Sequence, residues 1–181
     1  SVAMGELSVA SARGSVAVGT NSSASGIQSV ALGGGIASGF NSTAFAAGTA
    51  TAQGATALGQ GVSNGINSMS MGSGTANGSN STAMGYLTTA NANFSTAMGR
   101  STIANANSST AIGRGTIANE LYELTIGRHN DTSTNLNDTI RLFEIGNGSE
   151  DGTVRSNILT ATVSGIGIGT TTPSSTLDVD G

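Results

Sequence analysis

Apolar and small residues alternate along residues 1–127 in a five-residue pattern that returns ten times. The copies start at Ser1, Ser15, Ser29, Ser42, Ala55, Ser68, Ser81, Ser95, Ser109 and Glu123, with spacings of 14, 14, 13, 13, 13, 13, 14, 14 and 14. Position two is Val or Thr in eight copies. Position three is small, as at Ala17, Ala83 and Ala97, and becomes Thr125 only in the last copy. Position four is large and apolar, running Met4, Val18, Leu32, Phe45, Leu58, Met71, Met84, Met98, Ile112, Ile126. Position five is Gly, as at Gly19, Gly85 and Gly99, except at Ala46. Neighbouring side chains of a strand point to opposite faces, so positions two and four share a face and position three takes the other. Thus Val16, Ala17, Val18, Gly19 and their equivalents Ala83, Met84, Gly85 and Ala97, Met98, Gly99 read as one strand and its corner, stacked coil upon coil into ladders. Gly at position five permits positive φ at that corner.

A second pair of small residues follows each strand, as in Ala24/Gly26, Ala76/Gly78 and Ala104/Ala106. Its first member stands five residues before the next copy every time, and four or five after the preceding position five. All variation in unit length therefore falls in one turn, where insertions are tolerated. A period of 13–14 is too short for a helical hairpin and fits one coil of two short strands and two turns. The expectation is an all-β parallel β-solenoid, with no helix longer than two turns.

The rest of the chain departs from the repeat. Glu120, Leu121 and Tyr122 precede the atypical last copy, which fits the closing unit of a solenoid. Residues 128–138 read as a polar loop or neck, Thr139 to Ile145 as a strand, 146–152 as a turn cluster and Thr153 to Val163 as the return strand of a β-hairpin. Gly165-Ile166-Gly167-Ile168-Gly169 places Ile on one face and bare backbone on the other; Pro173 ends it and Ser174 to Val179 is a short extended exit. Two units are expected: a head of ten repeats over 1–127, and a connector over 128–181. The chain opens inside a repeat motif, which suggests a piece of a longer protein.

Composition sharpens this picture. With 28 Gly and 3% aromatics among 181 residues, the chain cannot build a core of Leu, Ile and Phe. The strict period argues against the disorder that Gly and Ser richness often signals. A single thin coil buries little apolar area, so three chains covering one another's faces and edges are expected. The net charge is −4, yet residues 1–127 sum to zero and nothing charged lies between Arg13 and Arg100. Such a neutral rod offers no electrostatic footprint for nucleic acid or anionic membrane. No bilayer-spanning run and no signal peptide are present, and without Cys there are no disulfides or thiolate metal sites.

The repeats Asn-Ser-Thr-Ala-Met-Gly at 80–85 and Ser-Val-Ala-Val-Gly at 15–19 closely resemble those of YadA-like heads in trimeric autotransporter adhesins. The resemblance implies a left-handed parallel β-roll, a homotrimer, and display outside a bacterial cell at its outer membrane. Some heads of that family bind collagen and other matrix proteins; a matrix protein, a glycan or another surface ligand is the partner it suggests here. The segment Gly165 to Pro173 with Leu177-Asp178-Val179 resembles stretches of phage tail fibres and bacterial surface fibres that precede an endosialidase-type chaperone. The parent is then a surface adhesin or a phage-type fibre.

Candidate chemistry is sparse. His129 has no nucleophile at a readable spacing and is read as a structural or solvated loop residue. Glu150-Asp151 and Asp178-Val179-Asp180 lack the pattern of a Ca²⁺ loop, and 165–169 lacks the spacing of a phosphate loop. The sequons at 41–43 and 80–82 follow from repeat composition. No catalytic residue, metal ligand or cofactor site is assigned. Phe40, Tyr86, Phe94 and Tyr122, outside the strand ladder positions, are the candidate binding residues, against a reading as turn packing between chains. Thr43, Thr56, Thr82, Thr96 and Thr110 would stack at about 4.8 Å. An ice-binding face is therefore the rival function, weakened because these Thr share a face with the apolar position four.

Overall fold

The computed structural model describes residues 1–132 and 141–180. It is a β-solenoid with no helix among those residues. Ten parallel strands, from Val2–Met4 to Leu124–Arg128, stack as the first sheet. Nine two-residue strands, from Val9–Ala10 to Ile117–Ala118, stack as the second. Register follows the repeat residue for residue: Val2 pairs with Val16, Thr82 with Thr96, Met84 with Met98.

The interior between the two sheets is one methyl deep from each side. Position three of the first sheet (Ala17, Ala31, Ala44, Ala57, Ala83, Ala97, Ala111) and the second residue of each short strand (Ala24, Ala37, Ala50, Ala76, Ala90, Ala104, Ala118) are all 0% exposed. Ser70 and Ser63 interrupt the two columns in adjacent coils, and their hydroxyls satisfy each other at 2.8 Å. The large position-four residues stand outside the coil: Met4 is 60% exposed, Ile112 38%, and Val18, Leu32, Leu58, Met84 and Met98 are half-buried. The apolar ladder therefore lines the outer face of the first sheet. A coil closed by two backbone layers this near each other has room for little beyond a methyl or a serine hydroxyl in its two columns.

The corners differ in detail from the sequence expectation. Position five has positive φ throughout, including Ala46 at 50° and its neighbour Ala47 at 67°. From Thr82–Tyr86 onward the first-sheet strands run one residue past the glycine, with Gly85, Gly99 and Gly113 at φ of 123–126°. A Cβ on Gly99 would run into the carbonyl of Gly113. At the opposite corner the residue before position one is left-handed in every coil from Gly14 to Tyr122. There the position-one hydroxyl closes the turn: Ser15, Ser29, Ser42, Ser95 and Ser109 each donate to a carbonyl three residues back at 2.6–2.7 Å.

Beyond the repeats the first sheet continues. Arg141–Asn147 pairs parallel with Leu124–Arg128, placing Phe143-Glu144-Ile145-Gly146 in repeat register. Asn157–Thr162 then pairs antiparallel with it, forming the expected hairpin, and Ile166–Ile168 and Leu177–Val179 complete fourteen strands. The hairpin's first strand runs through Gly146 and Asn147, so its turn lies later than the sequence expectation. Of the expected loop over 128–138 and strand from Thr139, residues 133–140 lie outside the described residues. The returning strand buries Asn157, Thr160 and Thr162 and turns Leu159 and Ala161 outward, as the coils do with their own apolar residues.

Candidate functional site

Three surfaces are built by repetition. The first is the outer face of the first sheet, two columns wide and ten coils long. One column is Val2 to Leu124 at position two, including Thr43, Thr56, Thr82, Thr96 and Thr110; the other is Met4 to Ile126 at position four. The Thr residues are half-buried beside large apolar neighbours, so they do not form a separate hydroxyl plane.

The second surface is a ladder of side-chain amides where the chain leaves the second sheet. Asn64 donates to Asn77 at 3.0 Å, Asn77 to Asn91 at 3.0 Å, Asn91 to Asn105 at 2.8 Å and Asn105 to Asn119 at 2.8 Å. Thr51 caps it, donating to Asn64 at 2.9 Å. The signal was in the sequence, as Asn at spacings of 13, 14, 14 and 14, and the sequence reading missed it.

The third is a polar network that closes the open end of the coils. Asn130 stands where the next coil's backbone would be: its amide oxygen accepts from Ile117 N at 2.8 Å and its nitrogen donates to Ile117 O at 3.0 Å. Glu123, which replaces the position-one serine, accepts from the backbone N–H groups of Asn119 and Glu120 and from the Thr125 hydroxyl at 2.7–2.9 Å. The last edge of the second sheet is thus satisfied by side chains, which blunts further strand pairing there. Asn130 also donates to Glu144, which takes an Arg141 guanidinium N–H at 3.0 Å. Burial pushes Glu144 up to about 7, with Glu123 adding to the rise and Arg141 opposing it.

The aromatic candidates do not converge. Phe40 lies in the turn that returns to the first sheet, four coils from Phe94 and six from Tyr122, which share a neighbouring column of that same turn. Phe94 and Tyr122 hold φ of 58° and 64° and are 62% and 67% exposed. Tyr86 is on the opposite corner. It ends the strand Thr82–Tyr86, in register with Arg100, and so belongs to a strand position after all. It walls a shallow cleft of about 430 Å³ with Gln60, Gly72, Ser73 and Gly85, where the coil lengthens from 13 to 14 residues.

His129 is half-buried, left-handed in φ and packed over Gly115 and Gly152, with no hydrogen-bond partner on Nδ1 among the described residues. Its pKa is lowered by burial first and then by Arg155, Arg114 and Arg128. Three of the carboxylates at 150–151 and 178–180 have hydrogen-bond or ion-pair partners. Asp151, held near 2, accepts from Ser149 and Thr153; Asp178 accepts from the Ser174 backbone and hydroxyl; Glu150 pairs with Arg114 at 3.4 Å.

The family model described as the YadA head domain repeat matches residues 1–22, 10–35, 76–102 and 93–116. The chain carries YadA-like head repeats. Residues 36–75 and 117–181 are not matched; the first of these stretches falls within the four shorter coils of 13 residues. The YadA head is an adhesin domain displayed on cell surfaces and is not an enzyme family. No curated protein matches the chain.

Proposed function

We propose that this chain is the non-enzymatic head segment of a homotrimeric surface adhesin, displayed outside a bacterial cell and attaching it to matrix protein, glycan or another surface. The observation that carries the reading is the placement of the large side chains. A coil that spends its interior on alanine methyls and sets Val, Met, Leu and Phe on one outer face leaves that face exposed to water in a single chain. Burial of such a surface is worth roughly 25 cal/mol per Å². A rotationally symmetric association of identical first-sheet faces removes it, and three chains around an axis agree with the family likeness.

Adhesion then works by repetition: many copies of weak contacts on one rod gain avidity without a strong single site. The residues 1–127 form the repeating head and 128–181 the connector in this reading, and Phe40, Phe94, Tyr86 and Tyr122, exposed at the two corners, tune the ligand. Because residues 14–99 carry no charge, contacts along that part depend little on salt.

The test measures mass by light scattering and retention of matrix proteins, glycans and cells on the immobilised chain, at low and high salt. A trimer that retains a ligand supports the proposal. A stable folded monomer at micromolar concentration, or a trimer that inhibits ice recrystallisation and retains nothing, refutes it; the latter favours the threonine face.

A further inference from the structure

We propose that the in-register column Tyr86, Arg100, Arg114 and Arg128, at the corner where the first sheet ends, is a binding site for a linear sulfated polysaccharide. The proposal rests on the adhesion reading above and names a ligand class for one end of the head. The bulk charge hides this feature, since residues 1–127 sum to zero. The fold concentrates it: Tyr86 pairs with Arg100, Arg100 with Arg114 and Arg114 with Arg128 in successive parallel strands. Strands about 4.8 Å apart put three guanidinium groups on a backbone span of roughly 10 Å.

Like charges directly opposite in a sheet repel. Two carboxylates of the hairpin turn offset part of this charge. Glu150 reaches Arg114 at 3.4 Å, but its side chain is 81% exposed, and such surface pairs contribute little. Asp151, hydrogen-bonded by Ser149 and Thr153, is ionised and supplies the second negative charge, against the four cations Arg100, Arg114, Arg128 and Arg155. Arg100 forms no ion pair among the described residues. The hairpin adds a further cation, because Arg155 donates to the Gly115 carbonyl at 2.8 Å, one residue from Arg114. Arg128 donates its Nε–H to the Gly148 carbonyl at 2.7 Å, which fixes that guanidinium while leaving its other N–H groups. The pKa of His129 is lowered chiefly by burial, and secondarily by Arg155, Arg114 and Arg128 against the opposing Asp151.

The shape of the column selects the ligand. Guanidinium forks donate to sulfate or carboxylate oxygens in pairs, and a straight column of them suits a polymer with anions at regular intervals. At its upper end the column meets the Tyr86 ring and the cleft formed with Gln60, Gly72, Ser73 and Gly85. An aromatic face with a hydroxyl tip and a shallow, mainly apolar floor suits the flat apolar side of a sugar ring.

The experiment applies the whole 181-residue chain to immobilised heparin, with duplex DNA and unsulfated dextran as comparison matrices. The expected result is retention at low salt, release as salt rises, and no retention on dextran. In Arg100→Gln/Arg114→Gln the salt slope of binding falls by about one for each guanidinium removed, whereas Arg100→Lys/Arg114→Lys keeps the slope and binds more weakly, having lost the paired donors. Arg100→Gln alone, at an exposed position without an ion pair, serves if the double variant is unstable. Wild-type chain that passes through heparin at low salt, Gln variants retained like wild type, or tighter retention on duplex DNA than on heparin would each overturn the assignment. Retention of matrix protein by the Gln variants shows that adhesion along the neutral coils survives a failure here.

Discussion

The first-sheet strands of the coils and the strands Leu124–Arg128 and Arg141–Asn147 that follow them continue one sheet in one register, yet the chain fills the two regions oppositely. The coils hold mostly methyl groups between their two sheets, with small buried Ser and Thr hydroxyls beside them, and their backbones pair with the coil above and below. The end segment holds Glu123, Thr125, Asn130, Arg141, Glu144 and Thr160 inside, all buried. The same repeat position that is Ala111 in one coil is Thr125 in the next and Glu144 in the strand after it. A repeating unit always has a neighbour to receive its N–H and C=O groups; the last one does not, and an unpaired buried backbone group is costly. Side chains with several donors and acceptors can replace a missing backbone, whereas alanine cannot. The chain therefore exchanges apolar economy for polar reach at the point where stacking of the second sheet stops.

The strongest way to break this contrast is to put bulk into the coils. Ala83→Leu inserts three carbons between two sheets whose facing residues are fully buried. Overpacking costs about 1–3 kcal/mol or more, and here the backbone layers cannot part without losing pairing on both sides. We expect failure to fold, or the largest fall in melting temperature of any single change considered. Tyr86→Ala, at an exposed corner, should melt close to wild type. Equal melting temperatures for the two would show that position three does not face the interior.

The next effect is at the corner. Gly99→Ala places a Cβ against the Gly113 carbonyl at φ of 123°, a region that L residues seldom occupy. Strain of this kind costs about 1–3 kcal/mol. The loss should exceed that of an equivalent change at Gly33, where φ is 63° and the nearest atoms lie at 3.6 Å. Thermal denaturation of the two alanine variants separates corners that the strand runs through from ordinary turns, and similar losses would remove that distinction.

The end segment should answer to pH where the coils cannot. Glu144 sits at about 7 in the folded chain, raised from an ordinary 4.5 chiefly by burial. Between these values the folded state holds a proton that the unfolded chain releases, so this group's contribution falls as pH rises from about 4.5 to 7 and is flat above. Denaturation midpoints should therefore drop across that window, and Glu144→Gln should remove this part of the slope. A midpoint that rises between about pH 5 and 7 in wild type and not in the variant would reverse the assigned direction.

How much of this was legible in the sequence divides along the same line. The coil was legible because stacking turns each position into a column: Ala at position three, large apolar at four and glycine at five gave strands, register and corners. Which face was inside was not, since alternation separates faces without saying which one a thin coil encloses; the small size of position three decided it. Tyr86 was set outside the strands because glycine was read as a stop, although the strand runs through Gly85. In the end segment, Glu144 and Asn130 were invisible as cap residues. Their partners Ile117 and Arg141 are far apart in the chain or fall at positions that looked like surface polar residues. The arginine column was hidden by counting charge along the chain instead of down the register.

The smallest expected effect tests whether the coils contain polar stitching of their own. The amides of Asn64, Asn77, Asn91, Asn105 and Asn119 are linked end to end along the surface. Asn91 both accepts from Asn77 and donates to Asn105, so Asn91→Ala removes two bonds and divides the ladder. A hydrogen bond contributes about 0.5–1.5 kcal/mol net, and exposed amides freed from it rehydrate, which places this loss at the low end. Asn64→Ala removes one amide bond and the bond from Thr51. If the ladder is cooperative, the interior substitution should cost more than the terminal one although both break two bonds, because chains of hydrogen bonds polarise one another. Chemical denaturation of the single and double variants reads this directly. Additive losses would mean that the amides act as independent surface contacts, and that cooperative polar networks in this chain are confined to its closing segment.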